Sequence, residues 1–322
     1  MPSGQPPDRR IVARLVNRFD IVLLGEPLIE ISTREPIAHG VDCGLTVSGD
    51  VVNTAAAVVA AGASVAVIAR VSQDELGTAV IERLDGLGVH TGFIRRDDSF
   101  QGIYVQHSDP HGDRQFCYAR IGSAGSRLAP DDLPAGLIED AGGVLVSGIT
   151  AALSTTARAT VLEAARRARR FVYDPNFRPR LTTAQEASAL LSDLAPYCAL
   201  VTPSAPHECA ALLGVSDAAQ AAAKLRAGGA AAVAVTCGAT GIHVDADAVH
   251  WQPALPAPKV VDQTGAGDVF AGTVTARLAL GDDLTTAVRI GAAASSLAVG
   301  GTGGSGGIAP LDTVLAHAGV PV

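Results

Sequence analysis

Short apolar runs alternate with longer segments of helical period along most of the chain. The run "DIVLLGEPLIEI" is typical of a buried strand that ends at 25–27, and "SVAVIARV" and "FVYDPN" have the same character. Segments such as "DVVNTAAAVVAAGA" and "DELGTAVIERLDGLGV" repeat their apolar residues at helical spacing and contain glycine near their ends. This alternation predicts an α/β fold, with a mainly parallel sheet covered by helices on both faces.

The strand and helix rhythm is interrupted twice. The segments "QGIYVQH" and "RQFCYARI" alternate like the arms of a hairpin, and 31–49 alternates weakly. We therefore predict a small β lid on a larger core. The predicted parts are a disordered tail at 1–18, an α/β core made of 19–30, 50–91 and 126–322, and a β lid made of 31–49 and 92–125.

Composition limits the classes of function. The 322 residues are 48% hydrophobic and 17% charged, which is enough for one large domain with a small appendage. A net charge of −8 argues against nucleic acid or an anionic membrane as the main partner, but leaves a small anionic substrate open. No run has the roughly 18 apolar residues of a membrane span. Five scattered cysteines favour a reducing, cytoplasmic location.

The segment "TGAGD" at 264–268 carries the clearest chemistry. Gly265, Ala266 and Gly267 leave their backbone N–H groups open to a phosphate, and the following helix adds its positive end. Asp268 is placed to accept a proton from a substrate hydroxyl that attacks a phosphoryl group. The alternative is that Asp268 only caps a helix and the glycines only form a turn.

Other nucleotide-binding motifs fit poorly. The chain has no GxxxxGK[ST] loop, which excludes a P-loop enzyme. The segment "GTGGSG" at 301–306 matches GxGxxG, but it follows a predicted helix instead of a strand. We interpret it as a flexible turn near the nucleotide.

Several stretches together resemble one family. The segment "SGDVVNTAAAVVAAGASVAVIARVSQDELG" resembles the N-terminal signature of the ribokinase-like (PfkB-type) carbohydrate kinases, and "VDQTGAGDVFAGT" resembles their C-terminal one. The segments "GEPLIEI", "FIRRDDSFQGIYV", "RIGSAGSRLAP", "SGITAALS" and "DPNFR" look like the 2-keto-3-deoxygluconate kinases within it. The resemblance implies a ribokinase-like three-layer α/β/α core and phosphorylation of the 6-hydroxyl of a keto-deoxy sugar acid by ATP with Mg²⁺. It also implies a homodimer or higher homo-oligomer, because lids in this family often pair between subunits.

The resemblance also implies roles for individual residues. Asp268 matches the catalytic base, and Gly265, Ala266 and Gly267 match the oxyanion cradle. The positions that match substrate contacts are Gly49, Asp50, Asn53, Tyr104, Tyr118, Arg120 and Arg178. The positions that match ATP contacts are Thr236, Gly238 and Gly241, together with Gly265 and Gly267.

The chain departs from the family pattern in two places. Gln263 stands where threonine or proline is usual, and Ser204 and Ala205 stand where an asparagine is expected ahead of Glu208. Glu208 matches an indirect contact to magnesium, so the second departure bears on the metal. A monovalent cation such as K⁺ near Asp262 is a further possibility.

The identity of the substrate depends on two arginines. Arg120 and Arg178 on a negatively charged protein argue for an acidic substrate, because a guanidinium matches a carboxylate with two hydrogen bonds. They could instead be solvated surface charges. A kinase for a neutral sugar (fructose, ribose or a nucleoside) and a catalytically silent sugar- or nucleotide-binding regulator therefore stay open. For Asp50 and Asn53, helix capping is the simpler alternative.

Overall fold

The computed structural model describes residues 18–108 and 114–321. The predicted tail at 1–18 therefore lies outside the described residues, apart from Arg18. The strands are β1 (Ile21–Leu24), β2 (Leu28–Thr33), β3 (Gly44–Ser48), β4 (Val65–Ser72), β5 (Ile94–Asp97), β6 (Ile103–Ser108), β7 (Arg114–Ala119), β8 (Gly143–Ser147), β9 (Phe171–Asp174), β10 (Cys198–Val201), β11 (Val233–Thr236), β12 (Gly241–Asp245) and β13 (Val249–Pro253).

The helices lie between these strands much as the sequence pattern predicts. They are α1 (Asp50–Ala60), α2 (Glu75–Gly86), α3 (Leu137–Asp140), α4 (Gly148–Ala152), α5 (Thr155–Arg167), α6 (Ala184–Leu194), α7 (His207–Leu213), α8 (Ala218–Ala227), α9 (Ala266–Ala279), α10 (Leu284–Ala298) and α11 (Leu311–Ala318). The short helices α3 and α4 and the C-terminal α11 are additions to the sequence-based prediction.

The large sheet has nine strands in the order β13-β12-β11-β10-β9-β8-β1-β4-β5. From β5 to β11 neighbouring strands are parallel, and β12 and β13 add an antiparallel edge. Side chains of β1 alternate between two apolar cores: Ile21 and Leu23 face the core built with α1, α2, α9 and α10, while Val22 and Leu24 face the one built with α5 to α8. The predicted three-layer α/β/α arrangement is confirmed.

The small sheet corrects the predicted boundary between core and lid. Its four strands are ordered β3-β2-β6-β7, and β6 and β7 form the predicted hairpin. The predicted strand end at 25–27 agrees with the structure, because the chain leaves the large sheet after Leu24. The residues that follow form a second strand, β2, which enters the small sheet at Leu28. Residues 28–30 thus belong to the lid. In contrast, 94–97 forms β5 and pairs with β4 in the large sheet, so the lid does not begin at 92.

Two helices that begin near the ends of the core strands position the candidate site. Helices α1 and α9 pack against each other and against β1. Asp174 and Thr236 lie at the last residues of β9 and β11. Parallel sheets bind ligands at the carboxyl ends of their strands, so these residues lie where a site is expected. Among the described residues, no helix is both long and apolar enough to span a membrane.

Candidate active site

A sharp turn precedes Asp268. Gly265 has φ of +77°, and a Cβ on it would lie 2.6 Å from the carbonyl oxygen of Gly304. Only glycine fits this turn without strain, because the left-handed region and the close contact both exclude a side chain. A Cβ on Gly267 would meet no described atom within 4 Å. The N-terminus of α9 is therefore closed by the 301–306 turn at Gly265 and open at Gly267.

The carboxylate of Asp268 is held by two amide side chains. Its Oδ2 accepts a hydrogen bond from Nδ2 of Asn53 at 2.9 Å, and its Oδ1 accepts one from Nδ2 of Asn176 at 3.1 Å. Asn53 lies in the first turn of α1, and Asn176 follows β9. The residue that caps α9 is Gly265, so Asp268 does not act as the N-cap of this helix. Three separate segments of the chain thus fix one carboxylate.

Asp268 borders a small pocket that is also lined by two further carboxylates, those of Asp50 and Asp174. Burial raises the pKa of Asp268 to about 7, the negative charge of Asp50 adds to this, and the hydrogen bond from Asn53 opposes it. Burial also raises the pKa of Asp174 well above its usual range, helped by the charges of Glu208 and Asp268. An aspartate with a pKa near neutrality can take up a proton at the operating pH, as a general base must.

Arg120 is buried and paired. Its Nε donates to Oε2 of Glu26 at 2.8 Å, and Ser123 donates to the other oxygen of the same carboxylate. Only 5% of Arg120 is exposed, so it is not a solvated surface charge. Its Nη2 also lies 2.6 Å from Glu26 Oε2, so the guanidinium and the carboxylate form a close buried ion pair. The positive charge of Arg120 is therefore neutralised by Glu26.

The sequence predicts that Glu26 lies at a strand end, where ligands bind, but it gives no role or partner for this residue. It is 1% exposed, and burial raises the pKa of its carboxyl while Arg120 opposes that shift. The charge of Asp50 also acts on it. The Glu26–Arg120 pair thus lies within electrostatic reach of the first turn of α1.

Two lid aromatics share one face of the small sheet. Tyr104 pairs with Glu30 on one side and with Tyr118 on the other, so these three side chains point the same way. The Tyr104 hydroxyl contacts Glu30 and lies 2.9 Å from Oγ of Ser48. Ser48 precedes Gly49, which has φ of +117° and begins α1. This face of the lid therefore continues into the segment that carries Asp50 and Asn53.

Arg178 lies beside the carboxylates and has no acidic partner among the described residues. Its Nη1 donates only to the carbonyl oxygen of Phe177, at 3.3 Å. Its positive charge lowers the pKa values of both Asp174 and Asp268. It lines a different pocket from the one that Asp268 borders.

The predicted nucleotide residues form a turn at the end of β11. Cys237 N donates to the carbonyl oxygen of Gly241 at 2.8 Å, which closes the turn. Gly241 has φ of +136°, and a Cβ there would lie 2.9 Å from the ring of Trp251. Gly238 has φ of +56° and open space beside it, while the backbone of Thr236 pairs with the 203–205 segment.

Both carboxylate oxygens of Glu208 accept hydrogen bonds from backbone N–H groups. Its Oε1 accepts from Phe177 N at 2.6 Å and its Oε2 from Ser204 N at 2.7 Å. The described residues contain no group of three or more histidine, cysteine or acidic side chains suited to a metal ion. Asp262 likewise accepts from two backbone N–H groups, those of Thr264 at 2.8 Å and Gly303 at 3.0 Å.

Most of the predicted site residues thus fall into three groups, and Arg178 and Glu208 lie outside them. One group surrounds the Asp268 carboxylate and the N-terminus of α9, and it includes Asp50, Asn53, Gly265, Ala266 and Gly267. A second lies on and beside the lid and comprises Gly49, Tyr104, Tyr118 and Arg120. The third is the turn after β11. Asn176 and Asp174 are the main additions to the first group, and the signal for them was the polar "DPN" at a strand end.

The sequence is similar to a known family of proteins and to several of its members. The model of the pfkB family of carbohydrate kinases matches residues 19–310. A 2-dehydro-3-deoxygluconokinase from Thermoproteus tenax is 36% identical over 88% of this chain and 89% of its own length. A 2-dehydro-3-deoxygalactonokinase from Haloferax volcanii is 29% identical over 86% of this chain and 90% of its own length.

The fold agrees with solved structures. An Escherichia coli protein described as a ribokinase II, solved in complex with ATP and Mg²⁺, superposes with a TM-score of 0.82 at 23% identity, covering 92% of this chain and 98% of that one. Family match, sequence identity and fold lead to one conclusion: this chain belongs to the pfkB family of carbohydrate kinases.

Proposed function

We propose that this sugar kinase phosphorylates the 6-hydroxyl of 2-keto-3-deoxygluconate with ATP. The observation that carries the chemistry is the buried Asp268 carboxylate, held by two amides beside a cavity at the N-terminus of α9. The names of the T. tenax and H. volcanii relatives support a keto-deoxy sugar acid as the substrate.

The residues suggest a division of labour. Asp268 accepts the proton of the attacking hydroxyl, and the N–H groups at 265–268 stabilise the charge that develops on the phosphoryl oxygens. Asn53 Oδ1 is buried without a described hydrogen-bond partner, so it can accept a hydrogen bond from a sugar hydroxyl. The turn at 236–241 is the proposed site for the rest of ATP, and closure of the lid would exclude water.

We expect magnesium to be held in this site mainly by the phosphates of ATP. When bound, Mg²⁺ neutralises part of the negative charge of the phosphates. Glu208 already accepts two backbone N–H groups, so direct coordination of the ion would compete with those bonds. An indirect contact, as expected from the sequence, would leave those hydrogen bonds in place. A K⁺ site near Asp262 stays a proposal of the same kind.

The acid group of the substrate has two candidate partners. Arg178 has no acidic partner among the described residues and lies near Asp268. Arg120 is the second candidate, although its guanidinium is already paired with Glu26. Because Arg120 also holds Glu26, its removal would disturb the fold as well as binding. Arg178 is therefore the better residue for a test.

The test compares substrates and one charge-deletion variant. We expect ATP consumption with 2-keto-3-deoxygluconate to exceed that with fructose or ribose, and Arg178→Ala to raise the KM for the sugar acid about 10- to 100-fold, the effect of losing hydrogen bonds to a charged group. Arg166→Ala, an exposed arginine on α5, is the matched control. An unchanged KM in the Arg178 variant would contradict an acidic substrate bound by Arg178.

One observation favours a neutral sugar as the second candidate. Among the described residues at and beside the lid, the buried carboxylates of Glu26 and Glu30 outnumber the buried guanidinium of Arg120, so this group of side chains is not net positive. A neutral polyol would meet less electrostatic repulsion from these carboxylates than an anion would. Preference for fructose or ribose in the same substrate panel would establish this alternative.

Location and assembly complete the proposal. The five cysteines lie in described segments and are free, which is compatible with a reducing cytoplasm. Leu45 on the edge strand β3 and Tyr118 on the edge strand β7 are exposed, and unpaired sheet edges favour pairing between subunits. We therefore keep a homodimer formed through the lid as the expected assembly, to be measured by light scattering.

A further inference from the structure

Glu208 connects two loops that border the proposed active site. One carboxylate oxygen accepts from the backbone N–H of Phe177, in the loop after β9, and the other accepts from that of Ser204, in the loop after β10. Both distances, 2.6 and 2.7 Å, are short for charge-assisted hydrogen bonds. The side chain therefore ties these loops together at the carboxyl ends of adjacent parallel strands.

The loop that Glu208 holds contains an unusual backbone. Asn176, the residue before Phe177, has φ of +41°, the one positive φ of a non-glycine residue in the described parts of the chain. Asparagine tolerates this region better than most residues, but the conformation is still sparsely populated and needs support from its surroundings. The hydrogen bond from Phe177 N to Glu208 provides such support at the next residue.

Asn176 uses that conformation to reach Asp268. Its Nδ2 donates to Oδ1 of Asp268 at 3.1 Å, on the opposite carboxylate oxygen from the one that Asn53 binds. A change of even 1 Å in the orientation of a reacting group can cost a large factor in rate. The direct contacts thus run from Glu208 to Phe177, and from the adjacent Asn176 to Asp268.

We propose that Glu208 is a positioning residue for Asp268, acting through the backbone of Phe177 and the amide of Asn176. The sequence suggested a contact to magnesium for Glu208 instead, but both of its oxygens are engaged by backbone N–H groups. Ser204 and Ala205, which replace the asparagine expected from the family pattern, fit this role because Ser204 supplies one of those N–H groups. The inference rests on the proposed role of Asp268 as the base.

A double-mutant cycle tests the proposal. The variants are Glu208→Ala, Asn176→Ala and the double variant, with Glu82→Ala on the exposed face of α2 as the matched control. We expect each single variant to lower kcat about 10- to 100-fold, the loss of one hydrogen bond to a charged group, with the KM for sugar and ATP changed less than about threefold. The double variant should be no slower than the slower single variant, because both changes release the same amide.

Magnesium titrations separate the two possible roles of Glu208. If Glu208 positions Asn176, the Mg²⁺ concentration for half-maximal rate stays unchanged in Glu208→Ala, and excess Mg²⁺ does not restore kcat. Rate losses that multiply in the double variant, or recovery of kcat at high Mg²⁺, would overturn the proposal. Should Glu208→Ala fail to fold, Glu208→Gln keeps the volume, and the same cycle applies to it.

Asp268→Asn distinguishes failure of this inference from failure of the proposed function. If Asp268→Asn loses turnover while Glu208→Ala and Asn176→Ala retain it, Asp268 is the base and Glu208 does not position it. If Asp268→Asn keeps near-normal turnover, the proposed mechanism itself is wrong.

Discussion

A single buried carboxylate determines how this site should respond to pH. Burial and the charge of Asp50 raise the pKa of Asp268, while Asn53, Asn176 and the positive charge of Arg178 limit the rise. Asp174 is the other acid bordering the same cavity, and burial favours its protonated form. Burial thus shifts both Asp268 and Asp174 toward their neutral forms.

The pH dependence of catalysis follows from the raised pKa of Asp268. A base must be deprotonated, so we expect kcat/KM to fall about tenfold per pH unit below about 7 and to level off above it. A pH–rate profile under subsaturating sugar measures this. A profile that stays flat down to pH 5 would show that Asp268 does not titrate in the free enzyme as proposed.

The same shift makes the opposite contribution to stability. The pKa of Asp268 is higher in the folded chain than the roughly 3.9 of an unfolded aspartate, so the folded chain binds the proton more tightly. This contribution is complete below about pH 4 and is lost as the pH rises to about 7. We expect urea midpoints to fall across this window, and to fall less in Asp268→Asn.

At the scale of elements, the first turn of α9 depends on two glycines for different reasons. Gly265 has a left-handed backbone and lies against Gly304, whereas a Cβ on Gly267 meets open space. The first residue is needed for the turn itself. The second is needed, on our proposal, for the approach of a phosphate.

Alanine at the two positions should therefore separate folding from function. We expect Gly265→Ala to lower the free energy of unfolding by about 1–3 kcal/mol through backbone strain. Gly267→Ala should leave it within about 1 kcal/mol while raising the KM for ATP or lowering kcat. Urea unfolding and steady-state kinetics of both variants measure this. Equal losses of stability would contradict the distinction.

The sequence predicted elements well where the pattern was long and periodic. The strands and helices of the core were predictable because the spacing of the apolar residues and the glycines at the ends of the segments indicate the same bounds. The end of β1 before Pro27 was also predictable, but the entry of β2 into the small sheet was not, because both strands are apolar. Strand β5, with Arg95 and Arg96 exposed, lacks the apolar character of a core strand and was assigned to the lid.

Sequence patterns predict the site only where its residues are close together in the chain. Asp268 and its glycines follow from local sequence, because turn, helix and carboxylate are adjacent in the chain. The partners of Arg120 and Asp268 do not, because Glu26 and Asn176 are 94 and 92 residues away from them. Such contacts depend on tertiary packing and not on any local pattern.

At the scale of the whole molecule, the chain crosses between the two sheets at several points that meet near Glu26. Arg120 and Ser123, beyond the end of β7, bind its carboxylate, and Gln101, ahead of β6, donates to the carbonyl oxygen of Pro27 at 2.6 Å. A Cβ on Gly125 would clash with Glu26. The buried Glu26–Arg120 ion pair is therefore one of several contacts that attach the lid to the core.

Removing either partner of the Glu26–Arg120 ion pair should strongly lower the free energy of unfolding. We expect Glu26→Ala and Arg120→Ala each to lower the free energy of unfolding by about 3–5 kcal/mol, because each leaves an unpaired buried charge. The double variant should lose clearly less than the sum. The exposed pair Arg158–Asp193, at 3.4 Å, is the control and should contribute at most about 1 kcal/mol. Additive losses in urea unfolding would show that the two charges are not coupled.

The position of Trp251 gives the protein an optical property. It is the only tryptophan of the chain, it is half-exposed, and its ring lies against Gly241 in the turn proposed to receive ATP. Indole emission is therefore expected to report nucleotide occupancy without any attached dye, so the affinity for ATP can be followed in the unmodified chain and separately from turnover.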